Sequence, residues 1–299
     1  MRTLVIPDVH LNVIRAQRII DSVPHDKVVL TGDYFDGHGS TLEQTENTAR
    51  WLKEKVLHNP KIVTLMGNHD ASYIFSTNVF FRCSGYRDAY NVAINEILTD
   101  EDKSKFGVYH IDQGYVFSHA GLTNELWREF SNKFTDQESH ESKLEFFDRV
   151  MKIISEEAIN DAKKDEDVLL FGAGWDRGGM HKVGGINWVD WNRLSPIKGI
   201  NQIVGHSTRR IPQILVQKSG GGYVKQDITE HYDLENGIKS LDKPFDPKYL
   251  SISYCLDTNL NHYGIIQDGS LDIYHINTGI NLKDVENYHI AHNEMNNLM

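Results

Sequence analysis

Six side chains of metal-binding type stand at the ends of short apolar runs. Asp8 and His10 follow Leu4-Val5-Ile6, Asp33 follows Val28-Val29-Leu30, and Asn68 follows Ile62-Val63-Thr64-Leu65; His119 follows Tyr115-Val116-Phe117, and His206 follows Ile203-Val204. Carboxylates, amide oxygens and imidazoles all offer lone pairs to a cation, and an imidazole also moves protons near neutral pH. Side chains two apart on an extended segment point the same way, so Asp8 and His10 can chelate one ion. Asp33 carries two oxygens and can bridge that ion to a second, whose other donors would be the Asn68 carbonyl and the imidazoles of His119 and His206. Oxygen and nitrogen donors without thiolate suit manganese, iron, zinc or cobalt better than calcium.

These residues must be positioned by strands. Apolar runs of this length read as buried strands, and ligands gather at the carboxyl edge of open α/β sheets. Amphipathic patterns at 11–22 and 42–57, the latter stopped by Asn59-Pro60, supply the helices between the first three strands, which implies parallel pairing by right-handed crossovers. Residues 106–111 and 115–118 read as a hairpin around Asp112-Gln113-Gly114. Thr135 with Glu138 has the form of a capping box, and Leu144, Phe147, Val150, Met151, Ile154 and Ala158 follow at helical spacing. Beyond His206, strands are expected at 214–217, 251–256, 263–267 and 271–276, forming a second sheet. A polar loop is expected at 229–248 and a peripheral helix at 284–299. The expected fold is α/β, two sheets face to face with helices outside. Residues 1–299 read as one catalytic domain with helical insertions at about 71–105 and 122–200.

Composition narrows the classes. The 299 residues carry 31 basic and 42 acidic side chains, a formal charge of -11, so the overall field repels polyanions and no bulk nucleic-acid binding is expected. No apolar stretch approaches the roughly 20 residues of a membrane span. Cys83 and Cys255 are too few for a disulfide scaffold. A cytoplasmic, reduced protein with no membrane partner is expected; composition is silent on oligomeric state.

The ordered set Asp8-x-His10, Gly32-Asp33-x-x-Asp36, Gly67-Asn68-His69-Asp70, His119-Ala120-Gly121 and Gly205-His206 resembles the calcineurin-like metallophosphoesterases. It looks most similar to their phosphoprotein-phosphatase branch, which includes bacterial and phage phosphatases. The resemblance implies a four-layer αββα sandwich and two divalent transition metal ions, manganese first, on Asp8, His10, Asp33, Asn68, His119 and His206. It implies further that His69 is a general acid oriented by Asp36, and that hydroxide shared by the two ions attacks phosphorus. The branch usually has arginine where Gly37 stands, so the phosphate grip must come from elsewhere: Arg177 and Arg82 first, because both lie in glycine-containing loops, then Arg193 or Arg209, with His38 as a partial substitute. The glycine- and tryptophan-rich stretch at 172–191 is a candidate cleft wall. Asp257, at a strand end, reads as structural or as a partner of a ligand histidine. The implied activity is metal-dependent hydrolysis of phosphomonoesters, including phosphoserine or phosphothreonine in a phosphorylated peptide. The alternatives are a nucleotide, dinucleoside polyphosphate or phosphodiester substrate, with Trp175, Trp188 or Trp191 stacking a base, and a catalytically silent binding module.

Overall fold

The computed structural model describes residues 1–37, 39–134, 141–219, 221–228 and 249–276. The expectations for Thr135 with Glu138, for 229–248 and 284–299, and for His38 lie outside the described residues.

The chain begins with β1 (Arg2–Ile6), α1 (Val13–Ser22), β2 (Lys27–Leu30), α2 (Leu42–Trp51), a π-helical turn at Leu52–Val56, and β3 (Ile62–Leu65). Thr41 and Gln44 cap α2 reciprocally, which satisfies two of the amide groups that a helix start leaves free. Three helices follow, α3 (Asn68–Ile74), α4 (Asp88–Ile97) and α5 (Asp100–Lys103), before β4 (Phe106–Gly107), β5 (Tyr109–Asp112) and β6 (Tyr115–Ser118). Next come α6 (Asn124–Ser131), α7 (Lys143–Ala162), β7 (Asn201–Val204), β8 (Gln213–Lys218), β9 (Tyr223–Asp227), β10 (Tyr249–Cys255), β11 (His262–Gln267) and β12 (Ser270–His275).

Among the described residues these form two mixed sheets of six strands each, with orders β12-β11-β1-β2-β3-β4 and β5-β6-β7-β10-β8-β9. In the first, β1 to β4 are parallel; in the second, β6, β7 and β10 are parallel. The two sheets meet through Val5, Val29, Leu65, Tyr115, Phe117, Ile203, Tyr254 and Ile266. Leu4, Ile6, Val28 and Leu30 of the first sheet share one apolar cluster with the helices, which also takes in Phe147, Val150, Met151, Ile154 and Ala158 of α7, where the Phe147 ring meets Tyr109 of β5 edge-on. Each such large side chain contributes about 1.5–3 kcal/mol when fully buried, so both faces of the parallel strands are held.

Two expectations are corrected. Residues 106–111 are not one arm of a hairpin: Phe106 and Gly107 pair with β3 in the first sheet, and the chain crosses at Val108 so that Tyr109 to Asp112 pair with β6 in the second. The last two strands do not extend the second sheet either. β11 runs antiparallel to β1, with Leu4 opposite Ile265, and carries β12 on its far side.

Candidate metal centre and active site

The parallel strands deliver their chemistry where they stop. Asp8 and His10 follow β1, Asp33 follows β2, Asn68 opens α3 directly after β3, His119 follows β6, and His206 follows β7. Both sheets therefore turn their carboxyl edges toward one place. Three of these residues are left-handed, with φ 38° at His10, 53° at Asp33 and 62° at His206. Non-glycine residues in this region are uncommon and cluster at functional sites, because the surrounding structure has to enforce them. Close approach of backbone to carboxylate fixes two glycines. A Cβ at Gly67 would lie 2.1 Å from Asp33 Oδ1, and one at Gly205 would lie 2.0 Å from Asp8 Oδ1.

The donor atoms converge as the chemistry requires. His119 Nδ1 donates to the Thr31 carbonyl at 3.0 Å, which turns Nε2 toward Asn68 Oδ1 at 3.1 Å, His206 Nδ1 at 3.2 Å and Asp33 Oδ2 at 3.4 Å. His206 Nδ1 is 2.9 Å from the same Asn68 oxygen. His10 Nδ1 donates to the Asp36 carbonyl at 2.8 Å and leaves Nε2 facing Asp33 Oδ2 at 3.5 Å. The donors of Asp8, His10 and Asp33 lie within 4.8 Å of one another, as do those of Asp33, His119 and His206, so Asp33 is common to two compact groups. Acceptors face acceptors here, an arrangement that favours a cation between them.

The buried carboxylates favour positive charge among them. Burial works against charge on His119, but Asp33 and Asp8 overcome it and raise its pKa to about 9. Burial, helped by Asp257, pushes Asp8 up to about 8. Asp33 is held well below the usual carboxylate range: burial opposes this, and His119, His69 and His10 outweigh it. Burial, with the charge of His119 beside it, holds His206 in the neutral form that ligates metals.

His69 stands next to this group with its ring edge-on to that of His10, centroids 5.3 Å apart. Its Nδ1 donates to Asp36 Oδ1, and the Tyr73 hydroxyl donates to Asp36 Oδ2 at 2.7 Å. Burial opposes the imidazolium, yet Asp33 and the Asp36 hydrogen bond prevail and push the His69 pKa up to about 12. Asp70, read from sequence only as a helix-start acid, accepts the N–H groups of Asp33 at 2.7 Å, Tyr34 at 2.8 Å and Gly67 at 2.8 Å. It thereby clamps the turn after β2 to the turn after β3. Tyr73 was not singled out in the sequence. Its signal was its place four residues after His69, on the same face of a helix.

A cleft of about 560 Å³ opens over the group, lined by His10, Asp33, Asn68, His69, Arg177, Trp188, His206 and Thr208 among others. Of the four candidate arginines only Arg177 lines this cleft, its Nη2 2.7 Å from Asp190 Oδ2. Arg82 lies over the Tyr86 ring at 4.5 Å. Arg193 pairs with Asp176 at 2.8 Å and lines a separate cavity with Trp175. Arg209 approaches Asp190 Oδ1 at 3.5 Å from outside the cleft lining. Among the tryptophans, Trp191 is buried in the core, Trp175 is 65% exposed, and Trp188 lines the cleft with its ring edge-on to His206. Among the described residues no helix is long and apolar enough to cross a membrane.

No curated protein matches the chain. Among solved structures, two of a cold-active protein tyrosine phosphatase, one of them a point mutant, are each 13% identical with TM-score 0.49; the mutant covers 94% of this chain and 79% of its own, the other 94% and 77%. A protein serine/threonine phosphatase from Saccharomyces cerevisiae is also 13% identical, with TM-score 0.37, and covers 92% of this chain and 80% of its own. The family model for calcineurin-like phosphoesterases, generally dinuclear metal hydrolases, matches residues 1–209, a stretch that begins before Asp8 and ends just after His206, and the chain belongs to that family.

Proposed function

We propose that this protein is a metal-dependent phosphatase that hydrolyses phosphomonoesters, with phosphoserine and phosphothreonine in peptides as one substrate class to test, and that residues 1–299 act as one catalytic domain. The observation that carries this reading is the double grouping of donors around Asp33, with the His69–Asp36 pair beside it at the mouth of one cleft. Asp8, His10 and Asp33 would hold one divalent transition metal ion, and Asp33, Asn68, His119 and His206 a second, manganese first. When bound, such a pair supplies an acidified water as nucleophile and offsets charge on the phosphoryl oxygens.

The protein's own groups do the rest. His69 lines the cleft with its Nδ1 committed to Asp36, and its other nitrogen, Nε2, is the one that would hand a proton to the departing oxygen. Asp36, gripped from its other side by Tyr73, fixes the tautomer and the angle of that ring. Arg177 supplies the guanidinium fork for the phosphoryl oxygens that the usual arginine, replaced here by Gly37, does not. Trp188 in the cleft wall favours a second reading, a nucleotide or dinucleoside polyphosphate stacked on its ring.

A purified sample loaded with manganese should cleave p-nitrophenyl phosphate. A panel of phosphopeptides, mononucleotides, dinucleoside polyphosphates and cyclic nucleotides then ranks the classes by kcat/KM. A manganese-loaded sample that cleaves none of them removes the assignment.

A further inference from the structure

Asp257 is a buried carboxylate that none of the roles above employs. It lies just beyond β10, which runs parallel to β7 with Cys255 opposite Val204 and the Leu256 N–H on the Val204 carbonyl at 3.0 Å. The turn after β10 therefore runs beside the turn that carries His206, whose own N–H bonds the Asp8 carboxylate at 2.9 Å. Asp257 is fully buried. Its carbonyl accepts the Arg209 N–H at 2.9 Å and its Oδ1 accepts the Asn259 N–H at 3.1 Å, but Oδ2, shielded from water, makes no close hydrogen bond among the described residues, the Thr208 hydroxyl giving the carboxylate only loose support. No lysine or arginine among those residues pairs with Asp8, Asp33 or Asp257. A buried carboxylate oxygen with no close donor and no cationic partner is disfavoured: burial and the charge of Asp33 raise the Asp257 pKa although Thr208 and His10 work the other way, and Asp257 in turn raises Asp8. Shaping the turn through Oδ1 requires only an oxygen, which asparagine also provides, so turn geometry does not account for a charge at this position.

We infer that Asp257 belongs to the cation-binding apparatus as a third carboxylate that balances a divalent ion held by Asp8 and His10. It acts from outside the donor atoms, since neither compact donor group contains it. The inference rests on the metal-centre reading above and deepens it. Outer groups of this kind typically change metal affinity by about 10- to 100-fold.

The test uses the full chain, stripped with a chelator and titrated with manganese, as wild type, Asp257→Asn and Asp257→Glu. Stripped Asp257→Asn should melt above stripped wild type, because a buried repulsion has been removed. At saturating manganese the gap should close or reverse, and one of the manganese sites should lose about 10- to 100-fold in affinity by calorimetry. Asp257→Glu, which keeps the charge, should bind manganese more tightly than Asp257→Asn. Unchanged manganese affinity in Asp257→Asn, or a lower melting point than wild type both with and without manganese, overturns the inference and leaves the metal centre standing. Wild-type protein that takes up no divalent ion overturns both.

Discussion

His69 and Tyr73 stand one turn apart on α3 and hold the two oxygens of a single carboxylate. His69 Nδ1 binds Asp36 Oδ1, and the Tyr73 hydroxyl binds Oδ2 at 2.7 Å. Asp36 is fully buried, so Tyr73→Phe leaves Oδ2 without its donor inside the protein. A buried acceptor stripped of its partner costs about 1–3 kcal/mol, and a phenyl ring keeps the packing against Phe35 and Tyr86. Urea unfolding should show that loss with an unchanged slope, while manganese uptake stays at the wild-type level. A variant as stable as wild type would mean that Tyr73 does not support Asp36.

The same carboxylate predicts a leaving-group effect. If His69 donates the proton, His69→Asn should slow alkyl phosphates by about 10² to 10⁴ and aryl phosphates far less, because a nitrophenolate departs without one. A series of esters with graded leaving-group pKa, measured as kcat, gives the slope directly. Equal losses across the series take His69 out of that role.

Asp33 is shared by both donor groups, and Gly67 makes room for it. Gly67→Ala drives a methyl to within 2.1 Å of Asp33 Oδ1 and 2.5 Å of its backbone nitrogen, so the carboxylate must move. Elemental analysis should find fewer than two manganese ions per chain in this variant, with the rest of the fold retained by circular dichroism. Two ions per chain would show that Asp33 need not occupy the shared position.

Strand ends were legible in the sequence because a run such as Val28-Val29-Leu30 buried on both faces has no polar alternation, and the polar residue after it marks the edge. Sheet membership was not. Ile265 and Ile266 point to opposite faces of β11 and both are buried, a pattern that fits a place beside β1 as well as one in the second sheet. The crossing at Val108 was hidden for a related reason: Val108 is buried, and nothing in an apolar run marks where it changes partners. Glycine-containing loops put Arg177 and Arg82 level in the sequence, and what separates them is tertiary: Arg177 lines the cleft with Asp190 holding it, whereas Arg82 lies over the Tyr86 ring.

Asp102 predicts how stability follows pH. Its carboxylate accepts the Thr99 N–H and hydroxyl at 2.9 Å each and faces His58 Nε2 at 2.7 Å. Burial pushes its pKa up, but the Thr99 donors, His58 and Lys53 outweigh burial and hold it below the ordinary value. A depressed carboxylate contributes stability that is fully present above its unfolded pKa of about 3.9 and is lost as pH falls through the folded value. Asp102→Asn should therefore be less stable than wild type at neutral pH, with the gap closing as pH falls below about 4. Melting curves across that range decide it, and a gap that is constant with pH would remove the charge from the account.

Arg177 and Asp190 make the last prediction. Arg177 lines the cleft while its Nη2 rests 2.7 Å from Asp190, which also lies 3.5 Å from Arg209 and accepts the Asn192 N–H at 2.8 Å. One carboxylate thus keeps a long side chain aimed at the cleft before substrate arrives, and less conformational entropy remains to be lost when phosphate binds. Arg177→Ala should raise KM or lower kcat at least tenfold, and Asp190→Asn should raise KM by a smaller factor with kcat nearly unchanged. Arg193→Ala, whose guanidinium is bound to Asp176 beside another cavity, should leave both constants within about twofold, since its exposed ion pair contributes little even to stability. Steady-state kinetics on one phosphomonoester separates the three. Wild-type values of both KM and kcat in Arg177→Ala would take Arg177 out of the phosphate grip, and a tenfold loss in Arg193→Ala would mean that the phosphate is gripped from the other cavity.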